Sequence, residues 1–480
     1  MPQHLRKPVA LLLAWLLAAG PVAVAQPELP DFGSPADSVL SKTREQMLGR
    51  SVILQLRNAG VIIDDPQLNE YIGLLGSSLA SQVNDGDFSF EFFVIEDDAI
   101  NAFAMPGGVI GIHTGLLLAT DNESELAGVI AHEVSHVTQR HIARAIYDRQ
   151  RTSILSMAAV LAAALLGASG EGDAAVGAAA AAQAAVAQRQ INFTRAHEYE
   201  ADRIGMGVLA RAGFDPIGMA SFFEKLARRE NRSTDLIPEI LRTHPTGNDR
   251  ISEARSRARQ LPSINHTDSI AYGLAKARIR VLSARTPQAA LDYYRLRADS
   301  PDPADRYGHA LSLSATGRHD QAERIFRELS AENPTVIAFR IGRAEALMAA
   351  GLDDQAMAVF KEANALSPRN VPLVISYSKA LIVSGRPADA HAILLDLLNN
   401  VDPAPAQIEL IARAANAEGD VINAHHYMSE YYASIGNLPQ AIVQLRMALE
   451  APGLNGVQRA RFNARITEFE EYLEETERRR

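Results

Sequence analysis

Hydrophobic positions recur at helical spacing along most of the chain and at strand spacing in one short region only. Residues 39–60 form a predicted helix that ends at Gly60, and residues 68–83 form a second, with one apolar face. Further on the period becomes two, which predicts strands over residues 88–95 and 109–114. The pattern therefore predicts a small sheet after two helices.

The next apolar run, residues 126–137, carries His132, Glu133 and His136. Residues 121–125 supply capping and acidic groups, so a helix should begin near residue 122 and place both histidines on one face, one turn apart. Two imidazoles so spaced can bind one metal ion, with Glu133 beside it to take a proton from a bound water. The alternative is that this spacing of histidines arises by chance on an amphipathic helix, where the histidines only form hydrogen bonds. The residues on both sides of the triplet are uncharged, which indicates a buried helix. A buried polar triplet needs a ligand, so the flanks favour metal binding.

A second polar helix is predicted from Ile191 to Gly213. Glu198 and Asp202 lie four residues apart on one face, whereas Glu200 points roughly 200° around the helix. A third zinc ligand from this face would complete a site of two histidines and one glutamate, and the other carboxylate could hydrogen-bond a ligand histidine. Without the histidine helix, a solvated acidic surface would be the better interpretation.

Two alanine-rich segments, residues 153–170 and 174–187, separate these helices. Their length and weak apolarity favour a helical hairpin that packs on the domain or touches a membrane over one that spans a bilayer. Their position also suits a lid over the cleft.

Residues 107–112 are the candidate for an edge strand that would hold a substrate backbone extended beside the metal. An ordinary hairpin with a glycine-rich turn fits these residues equally well.

The N-terminus predicts export. Residues 1–25 combine basic residues, an apolar run and a small-x-small cleavage site, as in a signal peptide; a short membrane anchor is the alternative. Residues 26–38 follow as a disordered or loosely docked leader rich in proline, glycine and aspartate. The 480-residue chain has no cysteine, which excludes a disulfide scaffold, and a net charge of −10 without a basic patch, which argues against nucleic acid as a partner.

The second half of the chain is a repeat array. A glycine followed five residues later by alanine recurs every 34 residues, a period typical of tetratricopeptide repeats. A further glycine follows after half a period, which predicts one helix shared by two overlapping units. We therefore expect an α-solenoid over residues 271–457, with a degenerate first unit and a charged capping helix over residues 458–480. Such arrays present a concave groove to peptides or partner proteins, or only stabilise a neighbouring domain. The repeat glycines are Gly317, Gly351, Gly385, Gly419 and Gly436.

The motifs around the histidine helix resemble those of the M48 zinc metallopeptidases. The likeness spans roughly residues 40–260 and includes the segment 101–108 before the helix. It implies an α+β, mainly α, zincin-like domain over residues 39–265 that binds one Zn²⁺. His132, His136 and Glu198 become the zinc ligands and Glu133 the general base, while Asp202 becomes an outer-sphere or proton-donating residue. The likeness also favours the edge-strand role for residues 107–112.

The segment from His244 to Arg250 matches a motif of exported members of this family. A histidine in the fourth zinc position would displace the catalytic water and hold the enzyme latent, with Arg250 as a regulatory or outer-sphere residue. The alternative is that His244-Pro245 forms an ordinary turn.

The resemblance of the whole chain implies a periplasmic endopeptidase, associated with the outer membrane, that acts in outer-membrane protein quality control and assembly. Its substrates would be unfolded or misassembled outer-membrane proteins, and its repeats would bind the barrel assembly machinery. One alternative is a chaperone or adaptor whose repeats carry the role while the peptidase site stays mostly latent. A membrane-embedded relative is a weaker interpretation, because the chain lacks several long apolar spans.

Overall fold

The computed structural model describes residues 35–83, 88–150, 194–230, 239–245, 247–401 and 403–478. The predicted signal peptide, residues 26–34 of the leader and both alanine-rich segments lie outside these ranges. Within them, no helix combines the length and apolar character needed to cross a bilayer.

Helices dominate the described chain, which confirms the predicted α+β, mainly α, class. Three short strands interrupt them once, after the second helix. The elements of the first half are α1 Lys42–Asn58, α2 Pro66–Ala80, β1 Glu91–Ile95, β2 Ala102–Met105, β3 Val109–His113, α3 Thr114–Ala119, α4 Glu123–Thr138, α5 over 141–150, α6 over 194–211, α7 Ile217–Glu230, α8 Glu239–Thr243 and α9 Asn248–Ala258.

The strand order β1-β3-β2 corrects one expectation. The predicted edge segment 107–112 contributes β3, which is the central strand: it pairs with β1 in parallel and with β2 antiparallel. The reason is the turn at Gly107 and Gly108, both at φ 84°, which folds β2 back onto β3. A Cβ at Gly108 would overlap the carbonyl oxygen of Ser89, so this turn requires glycine. The strand beside the histidine helix is therefore β2.

Helix α4 runs through the core of this half. It packs against α2, α7 and β2, and nearly all of its side chains are buried. Helix α6 crosses it closely at Gly205, where a Cβ would lie 3.0 Å from the carbonyl oxygen of Ala131. This crossing brings the acidic face of α6 to the histidine face of α4.

The end of the leader also differs from the expectation of loose docking. Residues Pro35–Ser38 form a 3₁₀ helix. Ala36 and Leu40 pack on Ala143 of α5, and the Arg140 guanidinium donates a hydrogen bond to the carbonyl oxygen of Leu40 at 2.6 Å. Two apolar side chains and one buried cation thus hold this segment.

The second half is an array of antiparallel helix pairs, as predicted. The glycines that mark the period in the sequence all adopt positive φ between paired helices. Helix α19 packs against both α18 and α20, as expected for a helix shared by two units. The helices are α10 Ile270–Leu282, α11 Pro287–Arg295, α12 Pro303–Ala315, α13 His319–Glu332, α14 Ile337–Ala349, α15 Asp353–Leu366, α16 Val371–Val383, α17 Pro387–Leu398, α18 Pro405–Glu418, α19 Val421–Ser434, α20 Leu438–Glu450 and α21 Gly456–Arg478.

Helix α2 of the first half packs against the repeat array. It contacts α10 and α16, the first helices of two pairs. Part of the surface of the array is therefore covered by the chain itself. The polar contacts are two hydrogen bonds from Arg278 to Asp65 at 2.7 and 2.6 Å, one from Tyr307 to Gln67 at 2.9 Å and one from Asn370 to Glu70 at 3.1 Å.

Candidate active site

Helix α4 presents its polar triplet as the sequence predicts. The Asn122 side chain accepts a hydrogen bond from the backbone N–H of Glu125 at 3.0 Å, which caps the helix and fixes its start. His132 and His136 then lie one turn apart, with their Nε2 atoms 2.9 Å from each other. Both imidazoles therefore direct their Nε2 atoms toward one point, where a single metal ion could bind.

Helix α6 adds two carboxylates to this place. Oε2 of Glu198 lies 3.5 Å from Nε2 of His132, and Oε1 of Glu198 lies 3.5 Å from Nε2 of His136. Oδ1 of Asp202 lies 2.9 Å from Nδ1 of His132, on the other side of that ring. Glu198 thus faces the two Nε2 atoms, whereas Asp202 contacts the back of one ligand candidate.

His244 follows the short helix α8 and completes the cluster. Its Nδ1 lies 3.3 Å from Nε2 of His132 and 3.1 Å from Oε1 of Glu198. One potential ligand atom from each of His132, His136, Glu198 and His244 falls within 4.8 Å of the others. Three imidazoles and one carboxylate at such spacing are a donor set that suits a divalent transition metal.

Glu133 gives an independent indication that these residues fit a metal and its water. The residue is 1% exposed, and neither carboxylate oxygen has a hydrogen-bond partner among the described residues. The nearest imidazole atom, Nε2 of His244, is 3.6 Å away, too far for a hydrogen bond. A buried carboxylate without a partner is costly, so a water or substrate group is expected there.

A cavity of about 200 Å³ opens beside Glu133. Strand β2 forms one wall, and its outer edge has no strand partner among the described residues. An extended peptide can therefore pair with this edge while it reaches the imidazoles. The lining includes Phe103, Ala104, Met105, Glu133, His136 and His244.

Arg250 joins the carboxylates to the segment that carries His244. Its guanidinium donates hydrogen bonds to Asp202, one of them at 2.8 Å, and its Nη1 lies 2.7 Å from Oε2 of Glu198. Nη1 also donates to the carbonyl oxygen of Pro245 at 3.2 Å. This buried cation, stacked 4.8 Å from the centroid of Phe223, balances the two carboxylates.

The two histidines of α4 differ in the direction in which their surroundings shift the pKa. Burial opposes the charged form of His132, but hydrogen bonds and charge from Asp202 and Glu198 outweigh it and raise its pKa to about 9. Burial and the neighbouring His132 charge hold the pKa of His136 well below its usual range. The pKa values of Glu198 and Asp202 are lowered despite burial, by His132 and His244 for the former and by Arg250 and His132 for the latter. Both carboxylates are thus ionised and able to face a cation.

The sequence did not indicate His141, which contacts the back of His136. The Nδ1 atoms of the two rings lie 2.9 Å apart, and Nε2 of His141 lies 3.2 Å from Oε2 of Glu200. Glu200 thus points away from Glu198, as predicted, and also accepts a hydrogen bond from Arg144 at 2.8 Å. The two histidines are five positions apart, which would place them on different faces of one helix. The break at Arg140, whose φ is 52°, turns the ring of His141 back toward the site.

The chain is similar in sequence to known peptidases and repeat proteins. Residues 66–258 match the model of peptidase family M48, and residues 313–360 and 354–414 match a tetratricopeptide repeat model. The β-barrel assembly-enhancing protease of Escherichia coli strain K12 is 35% identical over 483 residues, covering 99% of this chain and 98% of that protein. The protein of the same name from Yersinia pestis is 37% identical over 69% of this chain and 70% of its own length.

The family match covers the helices that carry His132, Glu133, His136, Glu198 and Asp202. Metallopeptidases of this family depend on a metal, and the histidine and carboxylate cluster provides ligands for one. The chain therefore belongs to peptidase family M48, as a metallopeptidase whose second half is an array of tetratricopeptide repeats.

Proposed function

We propose that this chain is an endopeptidase that binds one Zn²⁺ through His132, His136 and Glu198 and uses Glu133 as its general base. The observation that carries the proposal is the convergence of the three ligand candidates next to a buried Glu133 carboxylate that has no hydrogen-bond partner in the described part of the chain. Two imidazoles and one carboxylate are a ligand set of catalytic zinc sites, which keep a further position for water.

The bound metal would supply Lewis acidity for the attack of water on a peptide carbonyl. A Glu133 carboxylate oxygen takes the proton that the water loses and returns it to the amine nitrogen that leaves. Oδ1 of Asp202 lies 2.9 Å from Nδ1 of His132, and its negative charge favours the proton on that nitrogen, which leaves Nε2 for the metal. Its contacts to His132 and Arg250 support this positioning role over proton donation to the substrate.

The open edge of β2 is the substrate strand of this proposal. A peptide that pairs with residues 102–105 offers its backbone rather than particular side chains, which suits unfolded chains of varied sequence. The cavity beside the edge is lined by Phe103 and Met105, which favour apolar side chains in the substrate.

His244 is the proposed latch. Its imidazole lies within ligand distance of the other candidates, and a fourth protein ligand would fill the position that water requires. The enzyme is then latent until the segment after α8 moves His244 away. Arg250 supports the closed arrangement, because it holds both Glu198 and the backbone of Pro245.

The biological role is proposed from the relatives. Two of them are named for enhancing β-barrel assembly and match most of this chain. A signal peptide over residues 1–25 would bring the chain to the periplasm, where misassembled outer-membrane proteins are the substrates. The faces of the repeat array that α2 leaves free would bind the barrel assembly machinery, with residues 153–187 as a peripheral membrane contact.

A chaperone or adaptor role is the second candidate, and one observation favours it: His244 closes the metal cluster in the described structure. This candidate predicts that Glu133→Gln protein still supports outer-membrane assembly in cells, whereas a chain without residues 271–480 does not.

Zinc content and cleavage of an unfolded β-barrel protein together test the proposal. Glu133→Gln should retain its zinc and lose cleavage by at least about 100-fold, the scale of general-base catalysis. Glu96→Gln makes the same change at an exposed glutamate beside β1 and should cleave as the wild type does. Equal cleavage by metal-free and zinc-loaded protein would refute the proposed function.

A further inference from the structure

A second cluster of metal-ligating side chains lies where β1 and β3 end and α8 begins. Asp97, His113 and Glu239 each offer a potential ligand atom there, and these atoms lie within 4.8 Å of one another. None of the three belongs to the His132 cluster. The three ligands come from separate elements, so the fold rather than local sequence brings them together.

His113 is the buried member of this cluster. It is the last residue of β3 and is 6% exposed, and its backbone N–H donates to the carbonyl oxygen of Asn101 at 3.1 Å. Its ring packs edge-to-face on Phe103, with centroids 6.0 Å apart. Nδ1 points to Oδ2 of Asp97 at 3.6 Å, which is too long for a hydrogen bond, and it has no other partner in the described part of the chain. A buried ring nitrogen needs a partner, and a metal ion between it and the two carboxylates would supply one.

Asp97 is held in place around this nitrogen. Its backbone N–H donates to Oγ1 of Thr114 at 3.1 Å, and its carbonyl oxygen accepts from the same hydroxyl at 2.7 Å. Oδ1 accepts from the backbone N–H of Ala99 at 2.8 Å. Oδ2 faces His113, and no donor among the described residues forms a hydrogen bond with it.

Glu239 closes the cluster from the first turn of α8. The next residue, Ile240, donates its backbone N–H to the carbonyl oxygen of Ile100 at 3.2 Å, which joins α8 to the segment that follows Asp97. Among the residues that the structure describes, neither carboxylate of the cluster forms an ion pair with a lysine or arginine. Two carboxylates thus converge on one imidazole, and no lysine or arginine in the described ranges balances them.

We propose that Asp97, His113 and Glu239 bind a second divalent transition-metal ion, of the Zn²⁺ class, that fastens the start of α8 to the end of the sheet. One imidazole and two carboxylates suit this class, whereas Ca²⁺ takes six or more oxygen ligands. Because α8 leads directly to His244, an ion here restrains the segment that carries the latch. The site has its own ligands, and only its link to the latch and the expected total of two zinc ions rest on the proposed function.

Zinc stoichiometry of the full chain after equilibrium dialysis tests this site. Wild-type protein should hold two zinc ions per chain, and Asp97→Asn and Glu239→Gln should each hold one. Asp97→Asn keeps an oxygen for the Ala99 N–H and therefore preserves the local backbone. Asp98→Asn makes the same charge change at the next residue, which is exposed and outside the cluster, and should still hold two.

Two further readouts locate the ion. Anomalous diffraction from zinc-soaked crystals should show a peak between Nδ1 of His113 and the carboxylates of Asp97 and Glu239. Zinc should also slow amide exchange at Ile240 in the wild type but not in Glu239→Gln. Crystals with no anomalous peak at this cluster, or a zinc there that survives both Asp97→Asn and Glu239→Gln, would overturn the inference, whereas failure of the proposed peptidase site would show as the absence of a peak at His132 and His136.

Discussion

The His244 imidazole contacts the carboxylates of both Glu198 and Glu133. Its Nδ1 lies 3.1 Å from Oε1 of Glu198, and its Nε2 lies 3.6 Å from Oε1 of Glu133. One ring therefore lies between a candidate metal ligand and the candidate general base. Movement of His244 would expose the candidate ligands and the candidate base together, which is the physical basis of the latch proposed for this residue.

Asp202→Asn is expected to weaken zinc binding by about 10–100-fold. The neutral amide cannot match the attraction of the carboxylate for a proton on Nδ1 of His132, 2.9 Å away, and Arg250 loses one of the two carboxylates that balance its charge. Competition with a chelator of known zinc affinity measures the change. Asp249→Asn is the matched control, because Asp249 is exposed on α9. An affinity equal to that of the wild type would exclude the positioning role of Asp202.

His141→Gln is expected to weaken zinc binding as well, on the same scale of about 10–100-fold. Burial lowers the pKa of His141 to about 4, so the neutral ring can accept a hydrogen bond from Nδ1 of His136. Without this acceptor, His136 loses its fixed orientation. The absorption spectrum of the Co²⁺-substituted protein reports ligand geometry and should change.

His319→Asn, in the repeat array, serves as the control for His141→Gln and should leave the spectrum unchanged. If His141→Gln lost thermal stability but kept the wild-type spectrum and zinc affinity, His141 would contribute to packing only.

The pair of Arg278 and Asp65 should couple the two halves of the chain. Asp65→Asn keeps an oxygen that caps α2 but removes the charge that Arg278 binds through two hydrogen bonds. We expect the substitution to lower the free energy of unfolding by about 2 kcal/mol, the scale of a hydrogen bond to a charged group. Arg278→Met should cost a similar amount, and the double variant should cost less than the sum.

Additive effects of the Asp65 and Arg278 substitutions in denaturant unfolding would show that this contact does not join the two halves. Asp292→Asn, at an exposed position on α11, controls for the loss of one negative charge.

Local periodicity was enough to predict much of the site. His132, Glu133 and His136 share one helical run with a polar cap, and Glu198 and Asp202 share one face of another helix, so spacing alone aligned them. The glycines of the repeat were equally visible, because positive φ between helices requires a residue without Cβ.

Contacts between distant segments were not visible in the sequence. The order of β1, β3 and β2 depends on pairing across a turn, and the expectation for residues 107–112 placed the edge on the wrong strand. The approach of His141 depends on a single break at Arg140. The coverage of the repeat array by α2 likewise depends on tertiary packing that no local pattern encodes.

The central claim is that His244 holds a competent zinc site closed. The most direct measurement compares cleavage of an unfolded β-barrel protein by zinc-loaded wild type and by His244→Ala, with the double variant Glu133→Gln/His244→Ala as the background. We predict that His244→Ala retains its zinc and cleaves at least about 10-fold faster, the effect of lowering a barrier by about 1.4 kcal/mol, while the double variant is inactive. A zinc-loaded His244→Ala protein that cleaves no faster than the wild type would contradict the account.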